Sequence, residues 1–244
     1  KIKRILGYEI EAGLINCVKT IQYSGKGEEH KLILKNKSGN IFDLTDNLRL
    51  DFNGVKKGYC WVFPKKEVLS CGIGAPFNYT ADMKKYFKTF INNFIQCCDS
   101  EIEMNSIFEK PVIYAHGIPV RKKDTPLCNY RVLNVGDAAC LADGFTGEGL
   151  YNAFKSSHIA CECITESLKN SDFSFSQYFK RINNEIYSDI KISIILTNIF
   201  YNSIKFFYKL LTTNDRLFNS CCKILRGERS YNDIIKRIKN IHIL

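Results

Sequence analysis

The chain is predicted to fold as a mixed α+β and α/β protein. An antiparallel sheet comes first, then a strand–turn–helix unit of the Rossmann-like kind, then a helical C-terminal region. Three observations carry this prediction. Before residue 76, short runs of alternating side chains are separated by Gly- and Asn-containing turns. At 131–135 an apolar run meets Gly136-Asp137 and a glycine-spaced loop, the order in which an α/β strand hands over to a helix. Beyond residue 149, apolar residues recur at helical spacing almost to the end.

The elements follow in order. Residues 31–36 and 41–44 flank Ser38-Gly39-Asn40 and read as a hairpin. Residues 48–52, then Asn53-Gly54, then 58–63 continue the strand pattern. A second hairpin pairs 59–63 with 68–73 across the polar turn at 65–67, giving an antiparallel sheet of at least four strands. From 80 to about 97 an amphipathic helix is expected, with Met83, Tyr86, Phe87, Phe90, Ile91 and Phe94 along one face. Residues 111–119 return to strand, with Pro111 at the entry and Gly117 near the exit, and the polar loop 121–126 leads to the strand at 131–135. A helix over 149–168 comes next. The most apolar segment, 192–211, is interrupted by Asn198, Asn202 and Lys205, so a bilayer-spanning helix is not expected. Its Ile195, Ile199, Phe206 and Leu210 recur at near-helical spacing and read as a core-facing stripe in preference to a membrane-surface one. Repeats and low-complexity segments are absent from the sequence. The expected domains are a sheet-and-helix domain over 1–115, the strand–turn–helix segment over 116–170 and the helical region over 171–244.

Composition narrows the function classes. The 244 residues, 45% hydrophobic and 25% charged, suit a globular chain with a real core. The formal net charge is +10. Its lysines are spread along the chain without a basic block, so the charge favours anionic surfaces generally and a nucleic-acid partner is not expected. Eleven cysteines include no CxxC pair and lack zinc-ligand spacing, so no metal site is expected, and they read as free thiols of a reducing cytoplasm. No signal peptide is visible, and the chain begins at Lys1, so its start reads as a cut.

Asp137 is the first candidate site residue. A carboxylate at the end of an α/β strand can accept hydrogen bonds from a cofactor hydroxyl, although a loop Asp capping nearby N–H groups has the same sequence signature. The context favours the first reading. Gly147 and Gly149 permit close backbone approach, and the helix that starts there aims its free N–H groups into the same crevice. Glu148 opposes phosphate binding there and reads in part as a partner for the positive end of the helix. Asp143 and Thr146 read as loop-shaping residues, Ala139, Ala153 and Ala160 as close-packing positions. No Ser/His/Asp or Cys/His constellation is present, and no catalytic acid can be named.

The second run is Tyr59-Cys60-Trp61-Val62-Phe63-Pro64, followed after seven residues by Gly72-Ile73-Gly74. Alternate aromatics share one strand face, so Tyr59, Trp61 and Phe63 form either a core face or the apolar wall of a ligand pocket, with Gly72 and Gly74 leaving room for the ligand.

Together the two runs resemble the geranylgeranyl reductase family of FAD-dependent oxidoreductases. Gly136-Asp137-Ala138-Ala139…Thr146-Gly147-Glu148-Gly149 is similar to the family's second flavin-contacting motif, and Tyr59–Gly74 to its YxWxFP…GxG motif. Gly117-Ile118-Pro119 and the run from Leu225 through Gly227 to Tyr231 add to the likeness, while Gly144 stands where the family usually has proline. The resemblance implies the C-terminal part of a Rossmann-like FAD-binding domain beside an antiparallel substrate-binding sheet. It implies FAD held by Gly136, Asp137, Gly147, Glu148, Gly149 and Leu150, with Asp137 on the ribityl chain and 147–150 facing the pyrophosphate or flavin. It further implies an isoprenoid or prenyl-lipid substrate lined by Tyr59, Trp61, Phe63, Pro64, Gly72 and Gly74, an electron donor for the flavin, and peripheral contact with the cytoplasmic membrane face. The implied activity is reduction of isoprenoid carbon–carbon double bonds.

One family feature is missing from the sequence: no GxGxxG follows a strand. The chain therefore reads as the C-terminal portion of a longer reductase. The alternatives are a flavin-dependent monooxygenase, against which the aromatic run argues, and a non-catalytic lipid- or partner-binding fragment.

Overall fold

The computed structural model describes residues 12–22, 33–35, 41–43, 48–52, 55–64, 68–76, 83–96, 112–121, 127–233 and 235. The turns expected at 38–40, 53–54 and 65–67, Pro111, and the loop 122–126 lie outside the described residues. The chain divides into two compact units, one over Leu14–Gly117 and the other over Lys1–Gly13 with Ile118–Leu244.

The first unit is built on a five-stranded sheet in the order β4–β5–β6–β1–β7, with β1 Ala12–Gln22, β4 Arg49–Asp51, β5 Tyr59–Pro64, β6 Val68–Pro76 and β7 Val112–Pro119. The first expected hairpin forms its own antiparallel pair, β2 Ile33–Lys35 with β3 Ile41–Asp43. The second is the β5–β6 pair, with Trp61 opposite Gly72. Opposed residues of an antiparallel pair share a face, so this register sorts the sheet. Cys60 and Val62 oppose Ile73 and Cys71, and all four are fully buried. On the other face Tyr59, Trp61 and Phe63 oppose Gly74, Gly72 and Ser70, a large residue against a small one at each rung.

Helix α1, Met83–Gln96, packs on β6. It buries Met83, Phe87, Phe90 and Ile91, the spacing of one helical stripe. Tyr86, expected on that stripe, is exposed instead, because one residue before Phe87 is about a quarter turn away from it.

Burial, with Asp51 adding repulsion, pushes the Cys60 thiol up to about 12. The thiolate is the reactive form. At neutral pH, Cys60 is therefore expected to resist alkylation in the folded protein, whereas the exposed Cys161 reacts. Peptide mass spectrometry after brief iodoacetamide treatment reads both, and equal labelling of the two would refute the burial argument.

In the second unit the strand expected at 131–135 shrinks to β9, Val132–Leu133, which among the described residues pairs with β8, Cys128–Asn129, in a two-stranded sheet. Arg131 is not extended; it occupies the connecting turn at φ 62. A strand persists only as far as a neighbour supplies ladder bonds, and β8 supplies two residues' worth. A 3-10 turn, Gly136–Ala139, follows, then helix α2, Leu150–Asn170.

Helix α3, Ser176–Ile182, runs through a π-helical segment, Asn183–Tyr187, into α4, Ser188–Asn202. Helices α5, Ile204–Thr213, and α6, Asp215–Leu225, complete the helical region. Ile159, Cys163, Tyr178, Ile182, Ile186 and Ile190 are buried in this unit. The expected core-facing stripe of 192–211 is overturned. The segment breaks between α4 and α5, Ile195, Ile199 and Phe206 are exposed, and the buried face of α4 is Ile190, Ser193 and Phe200. Among the described residues no helix is long and apolar enough to cross a membrane.

Candidate functional site

The Gly136–Ala139 turn is docked onto the start of α2. Gly136 has φ +51, which favours glycine, and a Cβ there would stand 3.0 Å from Ala153 Cβ. Its N–H donates to Ser156 Oγ at 3.0 Å, and Ser156 is fully buried on α2. Asn152 Nδ2 donates to Leu141 O at 2.8 Å and ties the far end of the turn to the same helix.

Asp137 follows from this geometry. It is exposed, and its Oδ1 lies over the helix start, where a Cβ on Gly149 would come within 3.1 Å. A side chain at 149 would crowd the carboxylate and press it aside by a few tenths of an ångström.

The loop between turn and helix is organised by Asp143, which is buried. Its Oδ1 accepts hydrogen bonds from Phe145 N–H (2.9 Å), Thr146 N–H (2.7 Å), Thr146 Oγ1 (2.9 Å) and the Tyr231 hydroxyl (3.2 Å). The Asp143 N–H closes the loop onto Glu148 O at 2.7 Å. Burial, together with the nearby Asp143 charge, pushes the Tyr231 phenol well above its ordinary range, so it is a standing donor. Gly144, where the resembling family usually carries proline, donates its N–H to Ser193 Oγ at 2.9 Å and accepts from Thr197 Oγ1 at 3.0 Å. Proline lacks that donor.

Glu148 bears on what the helix terminus can accept. Its Oε1 takes the Tyr151 N–H at 2.9 Å, occupying part of the positive end of α2 with a carboxylate. A pyrophosphate would meet that charge. The exposed Asp137 carboxylate can accept from a hydroxyl-bearing chain, while the space at Gly136 is taken by Ala153 and that at Gly149 by Asp137 itself. Leu150, at the first turn, is exposed.

The structure places Gly136, Asp137 and Gly149 at the start of α2, with Glu148 bonded to the same terminus. Ser156, Asn152, Ser193 and Tyr231 were missed. Polar residues on helices carry no periodic signal that would reveal a loop glycine leaning on them.

The second candidate set lies wholly on the first unit's sheet. Tyr59 and Trp61 rings are 5.8 Å apart, and Trp61 and Phe63 stack at 5.9 Å. Phe52 joins the row at 5.7 Å from Tyr59. A Cβ on Gly72 would stand 2.0 Å from Trp61 Cζ2, so the room above Gly72, expected to be open for a ligand, is filled by the indole. Gly74 has a different close neighbour: its carbonyl oxygen would lie 2.1 Å from a Cβ on Gly58. Tyr59 and Phe63 remain half-buried, and Pro64 ends β5.

No family model matches the chain. An uncharacterised protein of Methanosarcina barkeri is 30% identical over 191 residues, 77% of this chain and 47% of that protein. The digeranylgeranylglycerophospholipid reductase of Methanosarcina acetivorans is 31% identical over 150 residues, 59% of this chain and 35% of the relative. The chloroplastic geranylgeranyl diphosphate reductase of Nicotiana tabacum is 30% identical over 151 residues, 59% and 30% respectively. A solved structure of a geranylgeranyl bacteriochlorophyll reductase-like protein from Thermoplasma acidophilum matches with a TM-score of 0.58 at 20% identity, over 80% of this chain and 45% of that one. That likeness establishes the fold: an antiparallel sheet joined to a strand–turn–helix unit and a helical C-terminal region. The chain spans less than half the length of each of these proteins.

Proposed function

Because the chain belongs to the geranylgeranyl reductase family, we propose that it serves an FAD-dependent reductase of isoprenoid carbon–carbon double bonds. The observation that carries the cofactor assignment is the cradle at α2. Asp137 presents an exposed carboxylate over Gly149, on a turn that bonds Ser156 and sits against Ala153. Asp137 accepts from the ribityl hydroxyls. Gly136 lets the turn sit against Ala153, Gly149 makes room for the Asp137 carboxylate, Gly147 permits close approach, Leu150 offers an apolar edge, and Glu148 keeps the loop on the helix. Bound FAD supplies the hydride chemistry. In the sheet unit, Tyr59 and Phe63 present aromatic edges to a prenyl chain. Trp61, seated on Gly72, is the rigid floor beneath them, and Pro64 and Gly74 bound the row. The net charge of +10 suits transient contact with an anionic membrane surface where prenyl lipids reside. A separate electron donor reduces the flavin.

The test is flavin uptake. After incubation with FAD and desalting, the protein should show flavin absorbance, and Asp137→Ala should weaken retention about tenfold or more, the worth of one charge-assisted hydrogen bond. Undiminished occupancy in the variant would remove Asp137 from the site. A protein that takes up no flavin favours the non-catalytic lipid- or partner-binding reading instead, an alternative that draws on the short span of the chain relative to its relatives.

A further inference from the structure

The run 225–231 stands out in the sequence, yet neither the cradle nor the aromatic row uses it. Its local shape begins with one glycine. Helix α6 ends in a turn at Gly227, φ +71, where the Gly227 N–H donates to Ile224 O and the Glu228 N–H to Lys223 O, both at 2.9 Å. That crossed pair is the usual glycine stop of a helix. Ser230 and Asp233 then cap each other. The Ser230 N–H donates to Asp233 Oδ2 and the Asp233 N–H to Ser230 Oγ, each at 3.1 Å. This reciprocal cap starts a new helical turn at Tyr231.

The segment so shaped reaches three places in its unit. Gly227 faces the Tyr151 ring in the first turn of α2, where an added Cβ would stand 3.6 Å from Cδ2. Asn232 donates its N–H (3.0 Å) and its side-chain amide to Asp189 Oδ1, and the same amide to Ser188 Oγ, which fastens it to α4. Tyr231, buried, donates its hydroxyl to Asp143 Oδ1. Asp143 is where the amides of the glycine loop converge. The Phe145 and Thr146 N–H groups donate to its side chain, the Gly147 N–H to its carbonyl at 3.0 Å, and its own N–H to Glu148 O. A loop ordered in advance spares its ligand the cost of ordering it.

We infer that segment 225–233 is a clasp for the cofactor loop, with Tyr231 as its positioning residue. Tyr231 acts through Asp143 on Gly147, Glu148 and Gly149, and Asn232 holds it in place against α4. The inference rests on the proposed function for the identity of the ligand, flavin. A segment that merely closed the helical region would stabilise the unit as a whole. A clasp controls the loop ahead of the rest.

The test combines amide hydrogen exchange, read by mass spectrometry, with FAD binding, read by fluorescence titration, well below the melting temperatures. Tyr231→Phe should speed exchange across 143–147 about fivefold, the share of one hydrogen bond, and Tyr231→Phe/Asn232→Ala about thirtyfold. Exchange across 155–165 in α2 should stay as in wild type. FAD should bind the double variant about fivefold more weakly, a smaller change, because a loop that is mostly closed must open far before binding suffers. Saturating FAD should slow loop exchange in that variant back toward wild type. Arg226→Ala removes an exposed ion pair with Glu228 from the same segment and should match wild type in both readouts.

Unchanged loop exchange in the double variant overturns the inference. So does acceleration that spreads equally through α2, or wild-type FAD affinity beside a loosened loop. A wild-type protein that binds no FAD sinks the proposed cofactor instead; acceleration confined to the loop would then uphold the clasp and remove flavin as the ligand it serves.

Discussion

Replacing Asp143 with Ala is expected to lower the melting temperature of the protein by roughly 6–12 °C. The carboxylate serves four donors, the N–H groups of Phe145 and Thr146, the Thr146 hydroxyl and the Tyr231 hydroxyl. Removing it leaves all four without that acceptor. Water can reach the partly buried loop groups, but the Tyr231 contact is enclosed. An orphaned buried donor costs about 1–3 kcal/mol, so the sum is about 3 kcal/mol after allowance for rehydration. At about 2–4 °C per kcal/mol for a chain of this size, that gives the stated shift. Tyr231→Phe should cost about 1 kcal/mol, and the double variant should fall short of additivity, because both changes remove the same bond. Differential scanning calorimetry of the four proteins checks this. Strict additivity, or an Asp143→Ala protein that melts within a degree of wild type, would show that the loop does not depend on this hub.

The same hub shows what the sequence could and could not disclose. Asp143 and Thr146 were readable as loop-shaping residues because Asp and Thr near glycines bond local backbone. The Tyr231 contact was not readable: it joins residues 88 apart and follows from how the C-terminal segment packs. The sheet hairpins were legible because turn chemistry and alternation are local signals, whereas the β5–β6 register, with Tyr59 opposite Gly74, was not specified by them. The strand at 131–135 was misjudged for the opposite reason. An apolar run shows that a segment can be extended, but its length as a strand is set by neighbours, and β8 provides two residues of ladder. The exposed Ile195, Ile199 and Phe206 failed likewise, since helical spacing marks an apolar stripe without saying that anything covers it. At the cradle, Gly136, Asp137 and Gly149 were legible as a group, while the serines on which the loop glycines lean lie on helices far along the chain.

The aromatic row offers the second large effect and its own reporter. Gly72→Ala should destabilise the protein by about 2–3 kcal/mol, the upper range for overpacking, and lower the melting temperature by roughly 4–12 °C. A Cβ at that position would stand 2.0 Å from Trp61 Cζ2 and 2.3 Å from Trp61 Cε2. The indole must therefore move. It cannot slide along the sheet, because Tyr59 and Phe63 flank it at 5.8 and 5.9 Å on the same strand face. Lifting away from the sheet exposes it to water. Trp61 is the single tryptophan of the chain, so its emission reports this displacement without a label, and the maximum should shift to the red in Gly72→Ala. The companion variant Trp61→Leu removes the six-membered ring that the new methyl would strike. On that background the alanine at 72 should cost less than about 1 kcal/mol, a compensation that a general weakening of β6 by alanine would not produce. Should Gly72→Ala keep both the wild-type melting temperature and an unshifted emission maximum, Trp61 does not rest on Gly72. The glycine would then be free to leave room for a prenyl chain, as the sequence first suggested.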